Sequence, residues 1–393
     1  MLFLSNRVKS LEVPMTIEMT KKSRELQEAG HDIISLSLGE PDFDTPDFIK
    51  SSGKRGIDEN YSHYMPVPGY LDLRQAISEK FKRDNNLSYQ PNEIIVSTGA
   101  KQSIANIVLA IVNQGDDVII PAPYWVSYAD LVKFIGGNII SPQAGLNQGF
   151  KITPAQLEDS ITKKTKLMIF SSPNNPSGAM YSKEELRSLV NVLKKHPKVW
   201  VISDEIYEYI SYGEEHVSMA SFEGMKNRVA TVNGLSKGFA MTGWRIGFMG
   251  APETLAKACE KIQSQFTSGA SSIAQRAAIS AVLAGPEKVA YMLDDFTIRK
   301  KILGDILKKA KYLNFIEPEG AFYLFVDASS YLNKTYKTAL DLCMAILDGG
   351  VASVPGEAFG LDGYIRFSYA ASEENLKKAG ERIIATLLSI KSN

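Results

Sequence analysis

Residues 231–250, TVNGLSKGFAMTGWRIGFMG, carry the side chains best suited to chemistry. Lys237 follows Ser236 directly and precedes Arg245, and Gly234, Gly238, Gly243, Gly247 and Gly250 punctuate the run. A lysine in apolar, glycine-rich surroundings gives up its proton more easily, because desolvation disfavours the ammonium. The neutral amine can then attack a carbonyl to form a Schiff base. Ser236 and Arg245 could together hold an anion, since the planar guanidinium fork matches phosphate. The run alone equally suits a solvent-facing lysine beside a structural arginine.

Further candidates follow apolar stretches that read as strands. EIIVS at 93–97 leads into Thr98-Gly99-Ala100-Lys101 and a helix to about residue 112. A strand, a small-residue turn and a helix start make an anion cradle, through free backbone N–H groups and the helix dipole. The spacing is not that of a Walker loop. A strand at 117–120 runs into PAPYWVSY, which puts Trp125 where a flat ligand could stack. Ligands in open α/β sheets sit off such strand ends. KLMIF at 166–170 ends in SSPNNPSG and offers the amide of Asn175. Ser182, with Glu185 three residues on, predicts the capped start of a helix over 183–194. VWVIS at 199–203 runs into Asp204 and Tyr207, and an acid placed there is buried and needs a cationic partner. A strand at 229–233 delivers Lys237.

The elements needed to position these groups follow. Residues 15–29 are amphipathic. DIISLSL at 32–38 is β-like and stops at Gly39-Glu40-Pro41, where a glycine lets backbone approach a ligand. A proline- and glycine-bounded loop at 61–69 presents Tyr64, and a helix over 71–84 follows. Strands alternating with helices between about 93 and 250 imply βαβ units and a mostly parallel sheet. Helices continue to about 312. Strands at 320–326 and 364–369, with helices at 338–346 and 372–389, then suggest a smaller α+β unit. Arg366 sits mid-strand there and wants a carboxylate. The expected class is therefore α/β, with a large domain whose mostly parallel central sheet is flanked by helices, plus the smaller α+β domain. The expected division is 1–45 as an N-terminal segment joining the small domain, 46–290 as the large domain and 291–393 as the small one.

An anion cradle, an aromatic plate, an amide, a buried acid with a tyrosine, and a lysine with an arginine now lie at successive strand ends. Together they fit pyridoxal phosphate, which needs a lysine Schiff base, a carboxylate facing its ring nitrogen and a phosphate site. Asp204 would keep the ring nitrogen protonated. Tyr207 and Asn175 would hydrogen-bond the ring oxygen, and Trp125 would cover the ring face.

LGEPDFDTP, STGAKQ, APYWVSY, SPNNPSG, SDEIYE, NGLSKGFAMTGWRIG, GAFY and YIRFSYA stand in one order along the chain. In that order the chain resembles the fold-type I pyridoxal-phosphate aminotransferases of class I/II over essentially its whole length. The resemblance is nearest to the prokaryotic-type aspartate aminotransferases. It implies that Lys237 is the Schiff-base lysine and that Asp204, Tyr207, Asn175 and Trp125 hold the ring. Ser236, Arg245 and the turn Gly99-Ala100-Lys101 would hold the phosphate, and Tyr64 would reach the cofactor of a partner subunit, so a homodimer with shared sites is expected. Arg366 would take the substrate α-carboxylate, with the Gly39 backbone, Trp125 and Asn175 beside it. Lys101 would reach the side-chain carboxylate of an acidic substrate. The implied reaction is ping-pong transfer of an amino group from L-aspartate to 2-oxoglutarate. The alternatives are aromatic or prephenate-type transfer and β-lyase chemistry on the same fold. Gly234 departs from members that carry a serine at that position.

Composition constrains the remaining classes. Lys+Arg and Asp+Glu both number 44, and the pI is about 6.9, so no overall field draws the chain to nucleic acid or anionic lipid. No apolar run approaches the ~20 residues of a membrane helix. The opening MLFLSN is too short for the apolar core of a signal peptide. Two distant cysteines, Cys259 and Cys343, suggest a reducing, cytoplasmic setting. His31, His63, His196 and His216 show no metal-site spacing and read as surface or turn residues; no metal is expected.

Overall fold

The strand residues of the central sheet send alternate side chains into two different cores. Ile94, Val96, Met168, Phe170, Val201, Val229 and Phe248 enter one apolar cluster, whereas Ile95, Leu167, Ile169, Ile202, Ala230, Val232 and Met249 enter another. A strand buried on both faces must be apolar at every position, which is why these segments read as continuous rather than alternating runs.

In the computed structural model, residues 3–9, 11, 15–213 and 215–392 are described. Residues 1–2, 10 and 12–14 of the expected N-terminal segment lie outside that set. The strands are β1 (Ile34–Ser35), β2 (Ile94–Thr98), β3 (Asp117–Ile119), β4 (Asn138–Ile140), β5 (Thr165–Ser171), β6 (Trp200–Asp204), β7 (Val229–Gly234), β8 (Ile246–Gly250), β9 (Tyr323–Asp327), β10 (Val351–Ala352), β11 (Val354–Pro355) and β12 (Tyr364–Ser368). Seven of them form one sheet in the order β2-β8-β7-β6-β5-β3-β4. Its neighbours from β7 to β4 run parallel, and β8 is antiparallel to both β2 and β7. The helices Ala100–Ile111 and Glu253–Phe266 cover the second core, with Ile104, Ile107, Val108, Leu255 and Cys259 buried in it. The α/β class with a mostly parallel helix-flanked sheet is thus observed.

A three-stranded antiparallel sheet, β11-β12-β9, lies apart in sequence, and β1 pairs in parallel with β10. The helix Ala339–Asp348 starts at a reciprocal cap made by Thr338 and Asp341. The closing helix runs over Glu373–Ser392. The expected cap of Ser182 and Glu185 is also present: the Glu185 N–H donates to Ser182 Oγ at 3.2 Å, and the Ser182 N–H donates to Glu185 Oε2 at 2.8 Å.

Two segments differ from expectation. The 32–38 run shrinks to the two-residue β1. Beyond it the extended chain bridges between sheets: Leu36 N donates to Ala352 O at 2.8 Å, and Ser368 N donates to Leu36 O at 2.8 Å. The glycine-rich end of 231–250, which carries no strand signal in the sequence, forms β8. Glycine is required there by close approach. A Cβ on Gly247 would run into the backbone at Gly99 and Ala100, and one on Gly250 into the Tyr89 ring. Gly234 is explained similarly, since a Cβ there would meet Ile206 Cδ1 and the Ile246 carbonyl at 3.0 Å. No such neighbour lies within 4 Å of a Cβ on Gly243. Gly247→Ala is therefore expected to cost about 1–3 kcal/mol, read as a lowered urea midpoint at unchanged slope. Gly243→Ala should leave that midpoint close to wild type.

Candidate active site

The C-terminal ends of β2, β5, β6 and β7 open onto a cavity of about 730 Å³. Gly39, Ala100, Lys101, Trp125, Asn175, Asp204, Tyr207, Ser236, Lys237, Arg245 and Arg366 line it. Of the residues singled out from sequence, Gly99 and Tyr64 are not on its wall. Gly99 lies directly behind it, at φ +77°, where a Cβ would meet the Arg245 guanidinium. Tyr64 is 99% exposed.

Lys237 follows the end of β7 in a turn anchored by the buried side chains of Leu235, Phe239 and Met241. Its Nζ donates to the Gly39 carbonyl at 2.5 Å and lies 6.0 Å from the Tyr207 ring centre. Desolvation pushes its pKa down to about 8; Arg366 and Arg245 push the same way, while Glu40 and Asp204 push back. Asp204 closes β6. Its Oδ2 accepts from the Tyr128 hydroxyl at 2.6 Å and its Oδ1 from the Ile206 N–H at 3.2 Å. Burial pushes this acid up to about 6; the two hydrogen bonds and Lys237 lower it, and Glu205 raises it. The expected cation is missing: among the described residues no lysine, arginine or histidine forms an ion pair with Asp204. A buried carboxylate supported only by neutral donors is a site that favours an incoming cationic nitrogen.

Arg366 shows the opposite vacancy of charge. It is 3% exposed, mid-way along β12, with no carboxylate partner among the described residues. Its Nη1 donates to Asn175 Oδ1 at 2.9 Å and its Nη2 to the Ser37 carbonyl at 2.6 Å. The guanidinium also lies 4.5 Å from the Tyr323 ring centre and 5.0 Å from that of Phe359. Its Nε is buried without a partner. The carboxylate expected from sequence is thus not supplied by the described residues.

The anion cradle forms at the start of the helix Ala100–Ile111, whose first N–H groups have no intrahelical acceptor. Arg245 stands beside it at φ +55° and donates from Nη1 to the Thr242 carbonyl at 2.9 Å. Lys101 Nζ lies 4.9 Å over Trp125, and burial followed by the nearby Arg245 lowers its pKa.

Tyr128 and Tyr323 were not singled out from sequence. Tyr128 lies at the start of the helix Ser127–Ile135, three residues after Trp125, and the two rings meet edge-on with centres 5.4 Å apart. Tyr323 shares a 2.7 Å hydrogen bond with Tyr207 and leaves no room for a Cβ on Gly39, which would sit 2.6 Å from its hydroxyl. It closes the GAFY run, to which the sequence reading gives no role. The helix Met15–Glu28 also walls the cavity, through Ile17, Thr20, Lys21, Arg24, Glu25 and Glu28. His216 corrects the surface reading. Its side chain is only 8% exposed, with Nε2 3.1 Å from the Ser172 carbonyl and 3.9 Å from Glu205 Oε2. Glu205, Glu208 and His216 cluster there. Their carboxylates are taken up by Ser203, Ser218 and Asn85 and by an ion pair from Lys80 to Glu208.

A family profile, aminotransferase class I and II, matches residues 31–383. The chain belongs to this family. It is 45% identical to a bifunctional aspartate aminotransferase and glutamate/aspartate-prephenate aminotransferase from Petunia hybrida, over 99% of this chain and 83% of that protein. It is also 45% identical to an aspartate/prephenate aminotransferase from Cereibacter sphaeroides, over 98% of each. Its fold matches the aspartate aminotransferase from Thermus thermophilus with maleate at a TM-score of 0.94 and 38% identity, covering 98% of this chain and 100% of that one. The family implies use of pyridoxal phosphate, and the residues fit that group: a desolvated amine, a buried acid lacking its cation and a helix N-terminus beside an arginine share one cavity. Among the described residues no helix of this aminotransferase is long and apolar enough to cross a membrane.

The depressed pKa of Lys237 has a direct readout. In the cofactor-free aminotransferase, reductive methylation at Lys237 by formaldehyde, with cyanoborohydride as the hydride donor, should follow the neutral amine, rising with pH and levelling off through an inflection near 8. Exposed lysines should still be climbing toward ~10.4. Peptide mass spectrometry at a series of pH values checks this, and an inflection for Lys237 shared with exposed lysines would refute it.

Proposed function

We propose that this aminotransferase works on pyridoxal 5′-phosphate joined to Lys237, and transfers the amino group of L-aspartate to 2-oxoglutarate by a ping-pong route. The observation that carries the reading is the pairing, in one cavity, of a lysine with depressed pKa and a buried aspartate lacking a counter-ion. The bound cofactor supplies an aldehyde for the amine and a ring that withdraws electrons from the substrate Cα.

Asp204 would hold a proton on the ring nitrogen, and Tyr128 holds Asp204 in place. Tyr207 and Asn175 would hydrogen-bond the ring oxygen, and Trp125 would cover the ring. Ser236, Arg245 and the N–H groups of the Gly99–Lys101 turn would take the phosphate. Arg366, with the Tyr323 and Phe359 rings against its guanidinium, would take the substrate α-carboxylate as a bidentate partner. Once free, Lys237 Nζ would take the proton from substrate Cα and deliver it to C4′ of the cofactor, and would run that transfer backwards in the second half-reaction, a role that needs a pKa near the working pH.

Lys101 supports a preference for acidic substrates, since its partly desolvated ammonium stands on the cavity wall with no carboxylate partner among the described residues. The names of the Petunia hybrida and Cereibacter sphaeroides relatives, and the maleate bound in the Thermus thermophilus structure, point to dicarboxylates as well. Prephenate is the second reading, favoured by the same two relatives. Tyr64, exposed and off the cavity wall, is available to reach the cofactor phosphate of a second copy, which supports a homodimer with shared sites. In this reading residues 46–290 carry the cofactor, 291–393 bring Arg366, and 1–45 join the latter. Two buried free cysteines agree with work in a reducing cytoplasm.

A panel of amino donors against 2-oxoglutarate, with oxo-acid release followed, tests the proposal. Aspartate should lead the panel in kcat/KM. Lys237→Ala should lose at least ~10³-fold in turnover, and undiminished transfer in that variant would end the assignment. Lys101→Ser should lower kcat/KM for aspartate about tenfold while aromatic donors fall less, since only the former has a second carboxylate to pair. Equal losses would remove Lys101 from substrate selection.

A further inference from the structure

The helix Met15–Glu28 contributes a stripe of six residues, from Ile17 to Glu28, to the cavity wall, although no part of the mechanism uses it. Six cationic side chains among the described residues line that cavity: Lys21, Arg24, Lys101, Lys237, Arg245 and Arg366. Four of them have work in the proposed reaction. Lys21 and Arg24, both on this helix, are left over. Lys21 is partly neutralised by Glu25 at 3.7 Å. Arg24 is not: among the described residues no carboxylate forms an ion pair with it.

The helix is tied to the α-carboxylate end of the site. Thr20 Oγ1 lies 3.4 Å from Ser37 Oγ, and the carbonyl of Ser37 is the acceptor for Arg366 Nη2. Arg24 follows Thr20 by one helical turn on the same stripe, so its Cα stands about 6 Å farther along the helix axis. The cavity wall therefore offers two further cations to a substrate clamped at Arg366: Lys101 over Trp125, and the exposed Arg24 on the helix Met15–Glu28. An unpaired guanidinium lining a substrate cavity is suited to a carboxylate.

We propose that Arg24, assisted by Lys21, forms a second distal-carboxylate subsite that selects dicarboxylic amino and oxo acids longer or bulkier than aspartate. Lys101 serves the short ones. This inference rests on the dicarboxylate reading of the function given above. A second subsite lets one cavity take substrates whose two carboxylates differ in separation, without moving Arg366. Because Arg24 is exposed, its contribution is modest and is screened by salt.

The holoenzyme tests this with L-aspartate and L-2-aminoadipate as donors, and with adipate and succinate as non-reacting dicarboxylates in calorimetry. In Arg24→Ala the ratio of kcat/KM for 2-aminoadipate over aspartate should fall about fivefold, and adipate should lose affinity relative to succinate by a similar factor. Arg24→Glu should move both further the same way, and Lys101→Ser should move the ratio upward. The Arg24 effect should shrink in 0.5 M salt, roughly as screening predicts. An unchanged ratio in Arg24→Ala and Arg24→Glu, or wild-type enzyme that binds succinate but not adipate, overturns the subsite. Wild-type enzyme that turns over no dicarboxylic donor instead overturns the substrate reading on which it rests.

Discussion

Charge held away from water without its counter-charge is the constraint around which this molecule is arranged. Lys237, Asp204 and Arg366 each lie within the protein wall with an incomplete set of partners. An isolated ion transferred from water into a low-dielectric interior costs several kcal/mol even after relaxation. The protein limits that cost with neutral donors and acceptors: the Gly39 carbonyl for the amine, the Tyr128 hydroxyl for the acid, and the Asn175 amide with the Ser37 carbonyl for the guanidinium. What remains unsatisfied is what a cofactor and a substrate would complete. Binding affinity and reactivity thus have one origin, because the desolvation that lowers the amine pKa also prepares the guanidinium for a carboxylate.

Such a site needs a rigid frame, and the sheet supplies it. The parallel strands are buried on both faces, so their ends are held by two cores at once. Asp204 closes β6 and Lys237 follows β7 in the neighbouring turn, with β6 and β7 hydrogen-bonded in register. The cradle at Gly99 depends on β8, because Gly247 lets the start of the helix Ala100–Ile111 pack onto that strand without side-chain obstruction. Arg366 arrives from a different sheet, and its hydrogen bond to Asn175 links that sheet to the loop after β5. A carboxylate bound at Arg366, as proposed, would thereby be coupled to the packing of the two sheets.

Much of this was legible in the chain. Apolar runs ending in small or polar residues marked β2, β5, β6 and β7, and the residues after them include Lys101, Asn175 and Lys237, with Asp204 closing β6. β8 was hidden because IGFMG carries glycines for close packing, and local propensity reads glycine as loop. β1 was over-extended because an apolar run cannot show whether its partner is a long strand or two short ones. The partners of the charged groups were also unreadable. Asp204 predicted a cation and found a tyrosine; Arg366 predicted a carboxylate and found an amide and a carbonyl. His216 looked like a surface residue until the fold covered it.

The sequence by itself determined the sheet-and-helix class, the order of the strands along the chain and the set of candidate reactive groups. Those depend on periodicity, on turn residues and on which side chains can bear a charge or a nucleophile, all of which are local properties. Only the tertiary structure decided which groups share a cavity, which of them lack counter-ions, and that the helix Met15–Glu28 forms part of the wall. Such facts depend on distances between residues as far apart as Thr20 and Arg366, and no local pattern along a chain encodes the separation of two points that only folding brings together.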